Sequence, residues 1–385
     1  MDKIIPYGKQ LIDNKDINYI NKMLKSDFLT TGPLVKKFES KINNYLKCKY
    51  SIVCNSGTSA LHLAFLSINI KSGDVVIMPA INFIASFNIC QILKAKIILA
   101  DIDPSTGRMR PKDVVECIKK NKVKKVKAIV TMHLSGTQEN IIDFHKLKKR
   151  YNCFLIEDAC HAFGGNYKNK KKIFKIGCAK HADISTFSFH PIKTITTAEG
   201  GAVTTNNKKI YEKILLLRSH GMKKSEPWKH WQYDIILNGY NYRLSDLNCA
   251  LGISQINKIN FFLKKRKEVA QFYNKTFFSK KVNFSYPLTN LNINAWHLYI
   301  ILINFKNINQ KNKFFLFMKR KNVILQYHYN PIYKFKIGTK FKKLPGCEKY
   351  YKTAVSLPIF VGLNKVKQKK IINLIINYLV KNKIR

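Results

Sequence analysis

Lys193 stands in FSFHPIKTITTAEGG, where a β-branched and aromatic run, DISTFSFH, gives way to a threonine-rich turn and the pair Gly200-Gly201. A lysine at a strand end can attack a carbonyl and carry protons, provided it is partly desolvated and neutral part of the time. In a chain this rich in lysine, the plainer alternative is a surface side chain. FLIEDACHAFGG ends a second apolar run on two carboxylates, Glu157 and Asp158, and His161 follows. Carboxyl ends of parallel strands are where open α/β sheets bind ligands. A capping aspartate and a core histidine explain the same letters, and a metal pair would lack a third ligand at the usual spacing. In CNSGTSALHLAFL a strand runs into Ser56-Gly57-Thr58-Ser59 and straight into a helix. The free N–H groups and dipole of such a helix start favour an anion, although a Ser/Thr cap alone accounts for the turn. No G-K-[ST] follows, so it is not a P-loop. Taken together, the amine, the carboxylate and the anion-binding turn fit pyridoxal 5′-phosphate. Lys193 would be its Schiff-base partner, Asp158 would hold the ring nitrogen protonated, and the helix start would take the phosphate.

The elements that must position these groups are legible as alternation. From about residue 52 to 205, short apolar runs alternate with amphipathic segments, the pattern of an α/β sheet with crossover helices. YSIVCNS, DVVIMPA, AKIILADI, VKAIVTMH, NCFLIEDA, ADISTFSFH and GAVTTN read as strands, several apolar throughout, as in strands covered on both faces. SALHLAFLSI, ENIIDFHKLKKRY and KKIYEKILLLRSHG read as helices, and residues 244–274 as a helical bridge to a second unit. Beyond it, HLYIILINF and VILQYHY are strand-like, and KVKQKKIINLIINYLVKN is a terminal helix. The expected division is 1–245, a large cofactor-binding α/β domain with an N-terminal arm, and 246–385, a linking helix and a small α+β domain.

The totals exclude other classes. With 385 residues and 46% hydrophobic content the chain is long and apolar enough to fold. No apolar run reaches membrane-spanning length, and the start has no h-region or cleavage site, so neither a membrane anchor nor a signal peptide is expected. Nine cysteines without a C-x-x-C pair argue for thiols in the cytoplasm, against a disulfide framework and against a zinc site. The formal charge of +47 invites a polyanion, but only 8 of the 69 basic residues are arginine. The lysines are spread along the chain among Asn and Ile, which reads as compositional bias and not as a dedicated nucleic-acid surface.

The ordered motifs YGKQ, SDFLTTGPLVKKFE, NSGTSAL, INFIAS, IEDACHAFGG, TFSFHPIKTITTAEGGAVTTN, LRSHGM and NGYNYRLSDLNCALGISQ cover nearly the whole chain. In them the sequence resembles the DegT/DnrJ/EryC/StrS family of sugar-nucleotide aminotransferases. The resemblance implies a fold-type I PLP-dependent transferase with a large, mostly parallel sheet, acting as a homodimer with shared sites. Its nearest likeness is to members that move an amino group from L-glutamate to C4 of a UDP-linked 4-keto-6-deoxy-N-acetylhexosamine on the route to pseudaminic acid. Legionaminic- or bacillosamine-type sugars are the alternative, as is a non-catalytic protein of this fold that binds polyanions. By the same resemblance, Lys193 is the Schiff-base lysine and Asp158 the partner of the ring nitrogen. His161 lies beside the ring and its 3′-oxygen, Gly57, Thr58 and Ser188 bind the phosphate, and Phe83 stacks on the ring. Asn241 reaches the phosphate of the neighbouring subunit's cofactor. Asn82, where Thr or Ser is common, and Cys160, where a small residue is usual, depart from the pattern. Dehydratase members carry histidine at the Schiff-base position, so Lys193 favours transamination. Tyr7, His220, His328 and Tyr329 are candidate substrate contacts, with Arg218 beside His220. Arm packing, a helix C-terminus and a strand end are the plainer readings of these residues.

Overall fold

The computed structural model describes residues 4–137, 140–224, 231–287 and 292–384. Its elements begin with α1 (Asn14–Leu24), α2 (Pro33–Leu46), β1 (Tyr50–Cys54), α3 (Gly57–Ser67), β2 (Val75–Pro79), α4 (Ala85–Ile92) and β3 (Lys96–Ala100). There follow α5 (Pro111–Lys120), β4 (Ala128–Met132), α6 (Ile141–Arg150), β5 (Phe154–Asp158), β6 (Asn166–Asn169), β7 (Lys172–Lys175), β8 (Ile184–Ser188) and β9 (Gly201–Thr205). The remainder is α7 (Lys208–Arg218), β10 (Met222–Lys224), β11 (Tyr233–Ile235), α8 (Asp246–Asn257), α9 (Ile259–Ser279), β12 (Tyr299–Leu302), α10 (Ile308–Arg320), α11 (Pro345–Thr353), β13 (Ala354–Leu357) and α12 (Lys365–Lys381).

The seven runs read as strands form one seven-stranded sheet in the order β1-β9-β8-β5-β4-β2-β3. β9 pairs antiparallel with both β1 and β8, and the other pairings are parallel. Strand interiors such as AIVTM of β4 are buried throughout, which is why they show no alternation. β1, β5 and β8 therefore end on the same edge, and β9 begins there. Around the sheet lies the larger core; a second core gathers Tyr273, Phe277, Trp296, Tyr299, Phe314, Ile372 and their neighbours around the β12–β13 pair.

Two expectations for the chain beyond residue 243 change. The helical bridge at 244–274 is two helices, α8 and α9, which meet at Lys258. There the Lys258 ammonium turns back to Asp13 at 2.8 Å and Asp16 at 2.6 Å on the N-terminal arm, fixing the bend. VILQYHY forms no strand: it makes only the isolated bridges Ile5–Val323 and Gln326–Ser356 before its side chains turn toward the sheet edge. Among the described residues, no helix is long and apolar enough to cross a membrane.

Candidate active site

Strand ends dictate the site. Ser56 caps α3 by accepting the Ser59 N–H at 3.0 Å, which leaves the N–H groups of Gly57 and Thr58 in the open first turn. Two glycines let this turn settle. A Cβ on Gly57 would come within 2.8 Å of Ser188 Cβ, and one on Gly201 within 2.3 Å of the Ser56 carbonyl oxygen. Gly201 is thus needed for close approach inside the sheet, opposite both Cys54 and Ser188.

Alternation along β5 separates its two carboxylates. Glu157 goes behind the sheet edge, where it accepts the Ser185 hydroxyl and lies 3.2 Å from His133 Nε2. Asp158 faces a cavity of about 560 Å³. Burial pushes its pKa up, while the Cys160 thiol and N–H (3.2 Å to Oδ1) and the charges of Lys193 and His133 pull it back. Lys193 lines the same cavity, its amine pushed down by burial against the pull of Cys160 and Asp158, with Arg266 adding to the depression. That leaves the neutral, proton-accepting form more accessible than on a surface lysine.

Tyr7, Gly57, Thr58, Phe83, Asp158, His161, Ser188, Lys193, His328 and Tyr329, ten of the sequence-predicted residues, all line this one cavity. His161 Nε2 shares a hydrogen bond with the Tyr329 hydroxyl at 2.9 Å, and its Nδ1 has no partner among the described residues. His328 Nδ1 meets Ser356 Oγ at 2.9 Å, and Tyr7 packs on the His328 ring at 5.8 Å, so arm packing and pocket lining are the same contact. Phe83 is 48% exposed, its ring 5.8 Å from Tyr329.

Two predicted residues lie outside the cavity. His220 is exposed at the end of α7 with a positive φ of 63°, and the Gly221 N–H returns to the Leu216 carbonyl at 2.8 Å, the helix-end reading. Asn241 is exposed in a bridge with Ser219, outside the cavity of its own chain. Arg218 is corrected as well: its Nη1 donates to the buried Glu39 at 2.7 Å and to the Val53 carbonyl at 2.9 Å, which ties α7 to α2 and β1, and the side chain does not line the cavity.

Sequence reasoning missed three contributors. His297 lines the cavity, buried, its ring 4.1 Å from His161 and both nitrogens unpartnered among the described residues; its only signal was a histidine opening the strand-like HLYII. Asn330 also lines it. Arg266 sits behind it on the buried stripe of α9, donating to the carbonyls of Ile192, Lys193, Trp296, His297 and Ile359 at 3.2–3.4 Å. Burial lowers that guanidinium to about 10.

The sequence pattern of the DegT/DnrJ/EryC1/StrS aminotransferase family matches residues 10–376. The chain belongs to that family. It is 38% identical over 364 residues, 94% of each chain, to a UDP-4-amino-4,6-dideoxy-N-acetyl-β-L-altrosamine transaminase of Campylobacter jejuni. Its fold superposes with a TM-score of 0.89, at 31% identity over 97% of this chain and 99% of the other, on Helicobacter pylori PseC, an aminotransferase involved in pseudaminic acid biosynthesis. Bacillus subtilis NtdA, solved with bound PMP, shares the fold at a TM-score of 0.82 and 24% identity, covering 95% and 82% of the two chains. This aminotransferase uses pyridoxal phosphate. Its residues fit that group: a side-chain-free turn at Gly57 under Ser188, a buried carboxylate facing a desolvated amine, and an orphaned His161 Nδ1.

Proposed function

We propose that the enzyme transfers an amino group from L-glutamate to C4 of a UDP-linked 4-keto-6-deoxy-N-acetylhexosamine, as on the route to pseudaminic acid. The likeness over nearly the full chain to a transaminase named for such a sugar supports the substrate. The observation that carries the chemistry is the placement of Lys193 and Asp158 in one cavity beneath the open turn of α3.

The bound pyridoxal phosphate supplies a carbonyl that takes up the amine and a ring that accepts the electron pair released at the donor α-carbon. Lys193 Nζ anchors that group and then takes up and returns the proton at the reacting carbon, which its lowered pKa allows. Asp158 stays anionic against the ring nitrogen and so keeps a proton there. Gly57, Thr58 and Ser188 hold the phosphate, Phe83 covers the ring, and His161, set by Tyr329, orients its oxygen. Tyr7, His328 and Tyr329 shape the sugar side. Asn241 serves the site of a second copy, which makes the active unit a homodimer; exposed Phe28, Leu29, Trp231 and Tyr233 offer apolar surface for it. Nine free cysteines suit a reducing compartment, and the cytoplasm is the proposed location.

The test is direct. Purified enzyme given pyridoxal phosphate develops visible absorbance that Lys193→Ala removes, and with glutamate it converts the UDP-linked ketone to one C4 amine. Absence of the absorbance overturns the chemistry; the opposite C4 configuration overturns the sugar assignment alone.

A further inference from the structure

Ile81 and Pro331 oppose each other in an antiparallel bridge, and the Ile332 N–H donates to the Ala80 carbonyl at 2.9 Å. Asn82 and Asn330 are the neighbouring residues on one side of that bridge. Both asparagines line the cavity. Asn82 is 1% exposed, and neither its Nδ2 nor its Oδ1 has a partner among the described residues; Asn330 Oδ1 is likewise buried and unpartnered. An amide left this way has lost its water without gaining a partner, so a bound group is the natural partner for these atoms.

Position selects the ligand. The phosphate turn and Asp158 belong to the sheet half made by β1, β9, β8 and β5, whereas Asn82 follows β2, two strands beyond β5 on the other side. At about 4.8 Å per strand, that offset is roughly 10 Å from the strand carrying Asp158. Chemistry selects it further. Two neutral amides offer donors and acceptors side by side, which suits groups that both donate and accept; a carboxylate, an acceptor alone, would meet unpaired Oδ1 atoms. Pyranose hydroxyls and an acetamido group have the matching character.

We propose that Asn82 and Asn330 form a neutral clamp for the pyranose of the sugar-nucleotide substrate, gripping a ring hydroxyl or the acetamido group. The clamp rests on the substrate reading given above. It is tested by following the two half-reactions separately in Asn82→Ala, Asn330→Ala and the double variant, with glutamate as donor and the UDP-linked 4-keto-6-deoxy-N-acetylhexosamine as acceptor. Retained cofactor absorbance and an unshifted thermal unfolding midpoint establish that each variant is folded. In each single variant the expected loss of kcat/KM with the sugar exceeds the loss with glutamate by at least about tenfold. The double variant loses less than the product of the single losses, because the two amides hold one group. Equal losses in the two half-reactions, or loss of cofactor absorbance in Asn82→Ala, overturn the clamp. Wild-type enzyme that discharges glutamate but leaves this ketone unaminated overturns the substrate reading, a result seen before any variant is scored.

Discussion

The Arg266 guanidinium donates to the backbone carbonyl of Lys193 at 3.4 Å from the far side of the cavity wall. The same group donates to Trp296, His297 and Ile359, so one buried cation joins the segment carrying the reactive amine to the C-terminal core. Hydrogen bonds from a charged donor contribute about 1.5–3 kcal/mol each, and a lysine cannot reproduce the planar fork. Arg266→Lys is expected to lower the unfolding free energy by about 3 kcal/mol. At temperatures well below its midpoint, its kcat should fall at least about tenfold, because a small displacement of Lys193 is felt in the chemistry. Chemical denaturation and kcat measured side by side check this; a destabilised enzyme with unchanged kcat would make Arg266 a structural residue only.

Gly201 governs the phosphate turn. A methyl there would come within 2.3 Å of the Ser56 carbonyl oxygen and 2.8 Å of the Gly57 nitrogen, both backbone atoms that cannot swing aside. Gly201→Ala should therefore push the turn out of position and weaken pyridoxal phosphate binding at least about tenfold. Titration of the apo protein by absorbance reads this out, and unchanged affinity would show that the turn is not the phosphate site.

How much of this was legible depends on the range of the interaction that decides each residue. The seven sheet strands were readable because burial on both faces leaves continuous apolar runs. Lys193, Asp158 and Gly57 were readable because each sits where a strand ends or a helix begins, a local event. Arg266 left a fainter trace: Ile259, Phe262, Val269, Ala270, Tyr273 and Phe277 are the buried stripe of α9, and an arginine on that stripe must find partners inside. His297 and Asn330 were not readable, since their place depends on segments far away in sequence meeting at the sheet edge. Arg218 misled for the same reason: its partner, Glu39, lies on a helix with no visible link to LRSHGM.

That pair makes its own prediction. Glu39 accepts the Val53 N–H at 3.0 Å as well as Arg218, and burial raises its pKa while Arg218 opposes the rise. Removing the cation strands a buried carboxylate, a loss of about 3 kcal/mol. Arg218→Gln should lower stability by about that amount at pH 8 and by less at pH 5, where Glu39 can take a proton and shed the penalty. The KM for the sugar should stay within about twofold of wild type. A large KM change with intact stability would return Arg218 to the substrate site.

The buried histidines set the response to acid. Burial, with Lys193 adding to it, lowers the His328 pKa from the usual 6.5 to about 3, and His161 and His297 are pushed well below their ordinary value by burial and by nearby cations. Below pH 6.5 the unfolded chain binds a proton at each of these positions that the folded protein refuses. Stability is therefore fully present above 6.5 and falls as the pH drops, continuing for His328 until about pH 3, where the folded state takes its proton too. Each such group contributes a slope of about 1.4 kcal/mol per pH unit inside its window. His328→Gln keeps an amide for Ser356 Oγ yet cannot titrate, so whatever it costs at neutral pH, its stability should decline less steeply on acidification than that of wild type. Urea unfolding at a series of pH values between about 4 and 7 measures both slopes, and the difference should be close to one proton. Parallel lines would mean that His328 is protonated in the folded enzyme and that the cavity is wetter than its packing implies.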